Sequence, residues 1–288
     1  MCGSKPKPIK ATISCCTARD LPVFLAALPR IERYIKPEEI VLCVPQNSDH
    51  IVEKVLQVSS KVKIFFDQDL INSEFYDLLS DDLTFGNNPG WLIQQLVKIK
   101  LAASYSDTDL VVIWDADTIP LRPISFFSQE NKLKFFVGSE YYEPYFNTIK
   151  KMLNLDKIIE PSFIAQSLPA YSGWVKKFIV EAGGEKNWME NILFHSRGNS
   201  FSEYESLGTY FFACYPNEVT INWSRWERNG FATYRKSRRI DMMISSLQNQ
   251  FSFVSLEHVD RGDADYFFAK ISQRFQTFCQ TFFKASDQ

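Results

Sequence analysis

The stretch LVVIWDADTIPLRP, residues 110–123, decides the fold of this chain. Its first five residues are all apolar and do not alternate with polar ones, which is typical of a strand buried on both faces of a parallel sheet. Two carboxylates, Asp115 and Asp117, follow this strand directly. Ligands of open α/β sheets bind at the carboxyl ends of the strands. The stretch therefore predicts a central strand that ends in a functional site.

Strand-like and helical segments alternate before residue 110. The predicted strands cover residues 9–14, 39–45 and 62–67, and the predicted helices cover residues 21–35, 50–58 and 90–105. Strands that alternate with helices pair in parallel. We predict an α/β fold with a mostly parallel, doubly wound central sheet flanked by helices. Further along, the sequence predicts strands at 135–138 and 219–223 and helices at 173–181 and 266–284.

Length and composition set the class of protein. A chain of 288 residues suits one large domain, and no linker or internal repeat divides it. A net charge of -2 gives no bulk attraction to nucleic acid, so we expect no nucleic-acid partner. Aromatic residues reach 15%, enough to line a substrate cleft as well as a core.

Cysteine spacing and the N-terminal residues bear on location. The six cysteines show no C-x-x-C pair or zinc-like spacing, so we expect reduced thiols. The first residues, MCGSKPKPIK, lack an apolar signal region, and no stretch reaches the roughly 18 apolar residues of a membrane span. We expect a cytoplasmic protein, with peripheral membrane contact left open.

The chemistry of the acidic pair points to a metal. Two carboxylates one residue apart can reach a common cation when the chain turns, and Mg²⁺ and Mn²⁺ prefer such oxygen ligands. A bare Asp-x-Asp is often only a turn after a strand. Here the buried strand before Asp115 and the Thr-Ile-Pro-Leu-Arg-Pro run after Asp117 favour metal binding.

Four motifs in this order resemble a known family. They are T-x-R-D at 17–20, G-W-x-x-Q-Q-L-x-K at 90–98, W-D-A-D-T-x-P-L-R-P at 114–123 and S-E-Y-E-x-x-G-x-Y at 202–210. Together they resemble bacterial and viral GT-A glycosyltransferases of the DUF6492 type, over about residues 9–215. The resemblance implies a GT-A-like, Rossmann-related domain over residues 1–288. It also implies Mn²⁺ or Mg²⁺, a UDP- or GDP-sugar donor, and a glycan or glycoconjugate acceptor.

The same resemblance divides the chain and suggests donor contacts. Residues 9–137 would form the nucleotide-sugar-binding half, and residues 138–288 the acceptor half with a C-terminal helix. In the donor half, the motifs suggest contacts from Arg19, Asp20, Gln94, Gln95, Lys98 and Asp115.

These donor contacts have alternatives that the sequence leaves open. Arg19 and Asp20 would approach the nucleoside, but Asp20 is equally suited to cap the helix that follows. Gln94 and Gln95 point in different directions on a helix, so at most one needs to touch ligand. Lys98 could reach a diphosphate oxygen, although an exposed helical lysine is the commoner case.

Glu203 and Glu205 are the candidate catalytic residues. An inverting transferase needs a carboxylate to take the proton of the acceptor hydroxyl, and in an extended segment both would share one face. We favour Glu203 because it holds the first Glu position of the S-E-Y-E motif. The alternative is a helix start in which Ser202 and Glu205 form a capping box.

Two further predictions concern the C-terminal third. Of the three histidines, His258 is the candidate for a third metal ligand, although a lone histidine is more often structural. Residues 225–239 carry six basic side chains, interleaved with aromatic ones, against Glu227 alone. Such a segment suits a diphosphate or an anionic acceptor, and it equally suits a solvated loop.

Two other enzyme classes share the Asp-x-Asp at the end of a strand. A haloacid-dehalogenase-like phosphatase carries Thr or Val where this chain has Ile119, two residues beyond the second Asp. A sugar nucleotidyltransferase usually has a glycine-rich loop after the first strand, and residues 14–20 contain no glycine. A degenerate binding protein would have lost the acidic pair. The sequence therefore favours the glycosyltransferase over these alternatives.

Overall fold

A computed structural model describes residues 7–81, 89–196 and 199–257 of the chain. Its strands are β1 (Ile9–Cys15), β2 (Glu39–Val44), β3 (Val62–Phe66), β4 (Leu110–Trp114), β5 (Thr118–Pro120), β6 (Leu133–Phe136), β7 (Ser167–Tyr171), β8 (Val219–Asn222) and β9 (Phe253–Ser255).

The helices of the described residues run from α1 to α11. They are α1 (Leu21–Tyr34), α2 (Asp49–Val58), α3 (Asp67–Leu70), α4 (Ser73–Asp81), α5 (Pro89–Ala102), α6 (Glu143–Leu153), α7 (Ser172–Glu181), α8 (Gly184–His195), α9 (Glu203–Cys214), α10 (Gly230–Ser237) and α11 (Ile240–Leu247). In this part of the chain, no helix is long and apolar enough to cross a bilayer. His258 and the helix predicted at 266–284 lie outside the described residues.

The central sheet has five strands in the order β3-β2-β1-β4-β7. The first four are parallel to one another, and β7 is antiparallel to β4, with Trp114 opposite Ser167. The prediction of an α/β fold with a mostly parallel central sheet and flanking helices is confirmed. Two smaller sheets pair β5 with β9 and β6 with β8.

Strand β4 is buried on both faces, as its unbroken apolar run predicts. Val111 and Ile113 pack into the core formed with α5, α7 and α9. Val112 and Trp114 pack on the other side, into the core formed with α1, α2 and α11. All five side chains of β4 are buried. The strand is therefore held firmly in the core, and it fixes the position of Asp115 at its carboxyl end.

Hydrogen bonds hold the turn that follows β4. The Trp114 indole donates to the Thr118 carbonyl at 2.8 Å, and the Ser14 hydroxyl at the end of β1 donates to the Trp114 carbonyl at 2.6 Å. The Asp115 amide donates to the Gln166 carbonyl at 3.2 Å. The carboxyl ends of β1 and β4 and the start of β7 therefore meet around the acidic pair.

Candidate active site

Asp115 lies at the centre of a polar cluster. Its Oδ1 accepts a hydrogen bond from Lys98 Nζ at 2.7 Å and another from the Tyr204 hydroxyl at 2.8 Å. The side chain keeps 24% of its surface exposed. Bonds from two different helices thus fix one carboxylate oxygen, while part of the group still faces outward.

Lys98 is a buried cation shared by two carboxylates. Helix α5 packs against β1 and β4, which places Lys98 below the end of β4 with only 3% of its side chain exposed. It pairs with Asp115 and with Glu203. Burial lowers the pKa of Lys98, but these two carboxylates more than offset it, so the lysine stays charged. The alternative of an exposed helical lysine is wrong.

Asp117 is a buried carboxyl group with few compensating partners. Its Oδ1 accepts from the hydroxyls of Thr118 at 3.2 Å and Ser255 at 3.3 Å. Within residues 7–81, 89–196 and 199–257 it forms no ion pair. Burial raises the pKa of Asp117 well above its usual range, and the nearby carboxylates of Asp115, Asp20 and Glu257 raise it further.

The acidic pair fits a divalent cation. Carboxylate oxygens are the ligands that Mn²⁺ and Mg²⁺ prefer, and a cation would offset the negative charge collected around Asp117. The described ranges contain no set of three or more His, Cys, Asp or Glu side chains grouped closely enough to hold a metal. Within the described residues, Asp115 and Asp117 therefore do not form a complete metal site by themselves. The predicted third ligand, His258, is not among the described residues.

The loop after β1 brings Asp20 towards this cluster. Its carboxylate accepts from the Thr17 hydroxyl at 2.6 Å, the Thr17 amide at 3.3 Å and Arg19 Nε at 3.2 Å. Asp20 stands at the N-cap of α1, yet its side chain makes no capping hydrogen bond. Asp20 thus occupies the N-cap position that the alternative predicts without making its side-chain bond, and its carboxylate instead stabilises the turn of its own loop.

The two glutamines of α5 differ in burial. Gln95 is buried, and its amide is used within the protein: Nε2 donates to the Trp91 carbonyl at 3.0 Å, and Oε1 accepts from the Glu203 amide at 2.9 Å. Gln95 therefore positions the start of α9. Gln94 is only half-buried, so it is the glutamine that remains open to a ligand.

Glu203 and Glu205 lie in the first turn of α9. Ser202 is the N-cap, and its hydroxyl accepts from the Glu205 amide at 3.3 Å. The extended conformation is thus not formed, and half of the capping box is present. The Glu205 carboxylate turns away to accept from the Ser162 hydroxyl at 2.6 Å and the Phe163 amide at 3.0 Å.

The two glutamates therefore have different surroundings. Both are buried. Burial raises the pKa of Glu203, Lys98 counteracts the rise, and Asp115 adds to it. Burial also raises the pKa of Glu205. Glu203 is linked to the cluster around Asp115 by its ion pair with Lys98. Glu205 instead accepts hydrogen bonds from residues 162–163.

Five further residues contribute to this region and were not singled out from the sequence for these roles. Tyr204 bonds to Asp115, and its ring lies against Lys98, with Nζ 4.9 Å from the centroid. Arg228 pairs with Glu257 and Glu140, and Gln166 donates to Glu257. Tyr204 lies inside the S-E-Y-E motif and Arg228 inside the basic segment, so the sequence marked both neighbourhoods. It gave no signal for Gln166.

No protein-family model matches the chain, and no curated protein sequence matches it, so the resemblance to the DUF6492 family stays a prediction. Among solved structures, the galactosyltransferase LgtC in complex with donor and acceptor sugar analogues is 12% identical, with a TM-score of 0.48, over 93% of this chain and 95% of that one.

Two other solved structures are similar at the same level. Mouse xyloside xylosyltransferase 1 is 11% identical, with a TM-score of 0.49, over 86% of this chain and 98% of that one. The glycosyltransferase GlyE of Streptococcus pneumoniae is 11% identical, with a TM-score of 0.46, over 97% of this chain and 64% of that one. With TM-scores below 0.5, these likenesses carry no inference about activity.

Proposed function

We propose that this chain is a metal-dependent glycosyltransferase that moves a sugar from a UDP- or GDP-linked donor to a glycan or glycoconjugate acceptor. One observation carries the proposal: Asp115 and Asp117 leave the carboxyl end of β4, where open α/β sheets bind ligands, and the Asp117 carboxylate has only hydroxyl partners among the described residues. The four sequence motifs resembling GT-A glycosyltransferases support the same assignment.

The leaving group of such a reaction is a nucleoside diphosphate. A divalent cation on Asp115 and Asp117 would act as a Lewis acid that neutralises the charge developing on that group. Lys98 fixes the orientation of Asp115. Arg19 and Asp20, in the loop after β1, are proposed to contact the nucleoside, where a carboxylate can accept from a ribose hydroxyl or a base N–H.

Glu203 is the proposed general base for the acceptor hydroxyl, which corresponds to an inverting reaction. It belongs to the cluster around Asp115 through Lys98, whereas the Glu205 carboxylate is bonded to residues 162–163. We propose that Glu205 supports the site without touching substrate.

The phosphatase and nucleotidyltransferase alternatives are not favoured. A phosphatase of that class would carry Thr or Val two residues beyond the second aspartate, where this chain has Ile119. In the nucleotidyltransferase reading, the loop after β1 would wrap phosphates with backbone amides, yet the Thr17 amide is directed at Asp20.

Product analysis distinguishes the three classes. The protein is incubated with UDP- and GDP-linked sugars and Mn²⁺, with and without EDTA, and the products are identified by phosphorus and proton NMR. A glycosyltransferase releases nucleoside diphosphate and free sugar slowly without acceptor, and EDTA stops the release. A nucleotidyltransferase instead needs added pyrophosphate and yields sugar 1-phosphate. If the protein releases phosphate from p-nitrophenyl phosphate and does not cleave any nucleotide sugar, the proposal is wrong.

A further inference from the structure

Gln166 has an unusual backbone conformation next to the acidic pair. Its φ of 51° lies in the left-handed region, which is uncommon for a residue other than glycine and tends to occur at functional sites. Its carbonyl accepts the Asp115 amide at 3.2 Å. The backbone of Gln166 therefore helps to hold the turn from which Asp115 and Asp117 project.

The side-chain amide of Gln166 is hydrogen-bonded through its nitrogen but not through its oxygen. Nε2 donates to the Glu257 carboxylate. Oε1 is buried and accepts no hydrogen bond from any described residue. A buried acceptor without a donor is costly, and such groups call for a specific explanation. The amide is oriented so that its free end needs an N–H or O–H donor from outside the described protein.

Glu257 is the partner that fixes this amide. Its Oε2 accepts from Arg228 Nε at 2.8 Å, and Arg228 also pairs with Glu140. Glu257 lies within electrostatic range of Asp115 and Asp117. Because Arg228 and Glu257 lock the Nε2 end, the Oε1 end of Gln166 cannot be exchanged by a simple flip of the amide.

We infer that Gln166 and Glu257, held by Arg228, form the sugar-recognising side of the donor site, and that Gln166 Oε1 accepts a hydrogen bond from a hydroxyl of the sugar being transferred. The inference rests on the proposed function and identifies the sugar as the part of the donor that these residues bind. Sugar hydroxyls supply the donor that Oε1 lacks, whereas diphosphate oxygens are acceptors only. Gln166 thus distinguishes the intact nucleotide sugar from the free nucleoside diphosphate.

The test compares affinities in the variant Gln166→Asn. Asparagine tolerates left-handed backbone, so the carbonyl bond to Asp115 is kept while the amide is withdrawn by one methylene. Gln57→Asn is the matched control, because Gln57 is exposed on α2. Calorimetric titrations in Mn²⁺ measure binding of each UDP- or GDP-linked sugar and of the corresponding nucleoside diphosphate. Thermal unfolding confirms that each variant folds.

We expect Gln166→Asn to weaken nucleotide-sugar binding about tenfold, as for one lost ligand hydrogen bond, and to leave nucleoside-diphosphate binding unchanged. Gln57→Asn should change neither affinity. An equal loss for both ligands would show that Gln166 only supports the acidic pair and would overturn the inference, as would no loss for either. If the wild-type protein binds neither ligand, the proposed function itself fails, and the two failures are therefore distinguishable.

Discussion

Lys98 Nζ lies 2.7 Å from Asp115 Oδ1 and also pairs with the Glu203 carboxylate. One buried cation thus joins helix α5, the end of β4 and the start of α9. Charges in the interior persist only when they are paired and hydrogen-bonded. The arrangement makes the position of Asp115 depend on Lys98, and it ties Glu203 to the same cluster.

The first prediction removes this cation. Lys98→Met leaves two carboxylates close together without their shared partner, and breaking a buried ion pair on one side costs about 3 to 5 kcal/mol. We expect urea unfolding to show a loss of that size. Lys186→Met, at an exposed position on α8, serves as the control. Adding Glu203→Gln to Lys98→Met should recover part of the loss, and a fully additive double variant would contradict the coupling.

The second prediction concerns the poorly compensated charge of Asp117. Asp117→Asn removes a buried carboxylate that lies near Asp115, Asp20 and Glu257, so we expect the metal-free protein to become more stable. A gain of about 1 kcal/mol corresponds to a rise in Tm of about 2–4 °C.

Added Mn²⁺ should then distinguish the two proteins. It should raise the Tm of the wild-type protein through binding to the native state and leave that of Asp117→Asn unchanged. Asp77→Asn, at an exposed position on α4, controls for the loss of one charge. A less stable Asp117→Asn protein would show that this carboxylate is part of the folding framework.

The third prediction is a pH dependence from Glu205. Burial raises its folded pKa above the ordinary value of 4.5, so the folded state holds this proton more tightly than the unfolded state. Its contribution to stability is full below about pH 4.5 and is lost as pH rises through the raised pKa. Glu205→Gln cannot titrate. Its stability relative to the wild type, measured by urea unfolding, should therefore improve as pH rises from 4.5 to 8. A constant difference would contradict the raised pKa.

The fourth prediction separates chemistry from binding. Glu203→Gln keeps the shape of the side chain but removes the proposed base, so we expect transfer to fall by about 10²- to 10⁴-fold while donor affinity stays the same. Rates measured with a nucleotide sugar and acceptor, alongside calorimetric donor binding, give both quantities. The pH dependence of the residual rate should also flatten on the acidic side. Unchanged turnover would refute the assignment of the base.

Much of the fold could be predicted because its central elements carry strong local signals. The apolar run Leu110–Trp114 is typical of a strand covered on both faces, and the alternating segments before it predict the parallel sheet that the structure has. Strand β7 was not predicted. Its sequence SLPAY has neither a clear alternation nor a long apolar run, and its antiparallel pairing with β4 depends on tertiary contacts.

The sequence predicts where the candidate site lies, but it does not predict the contacts between its side chains. Asp115 and Asp117 follow the one strand that the pattern predicts best. Whether Lys98 is exposed or buried depends on α9, which supplies Glu203 from more than 100 residues away. The Gln166 conformation likewise has no local signal, because a left-handed glutamine is held by its tertiary partners.

The most direct test of the central claim is a calorimetric titration of UDP and GDP into the wild-type protein with Mn²⁺, with EDTA, and into Asp115→Asn and Asp117→Asn with Mn²⁺. A metal-dependent donor site predicts that one nucleotide binds the wild-type protein only when Mn²⁺ is present, and that either substitution abolishes this binding while the fold persists. Equal nucleotide binding in EDTA, or undiminished binding by both variants, would contradict the assignment of Asp115 and Asp117.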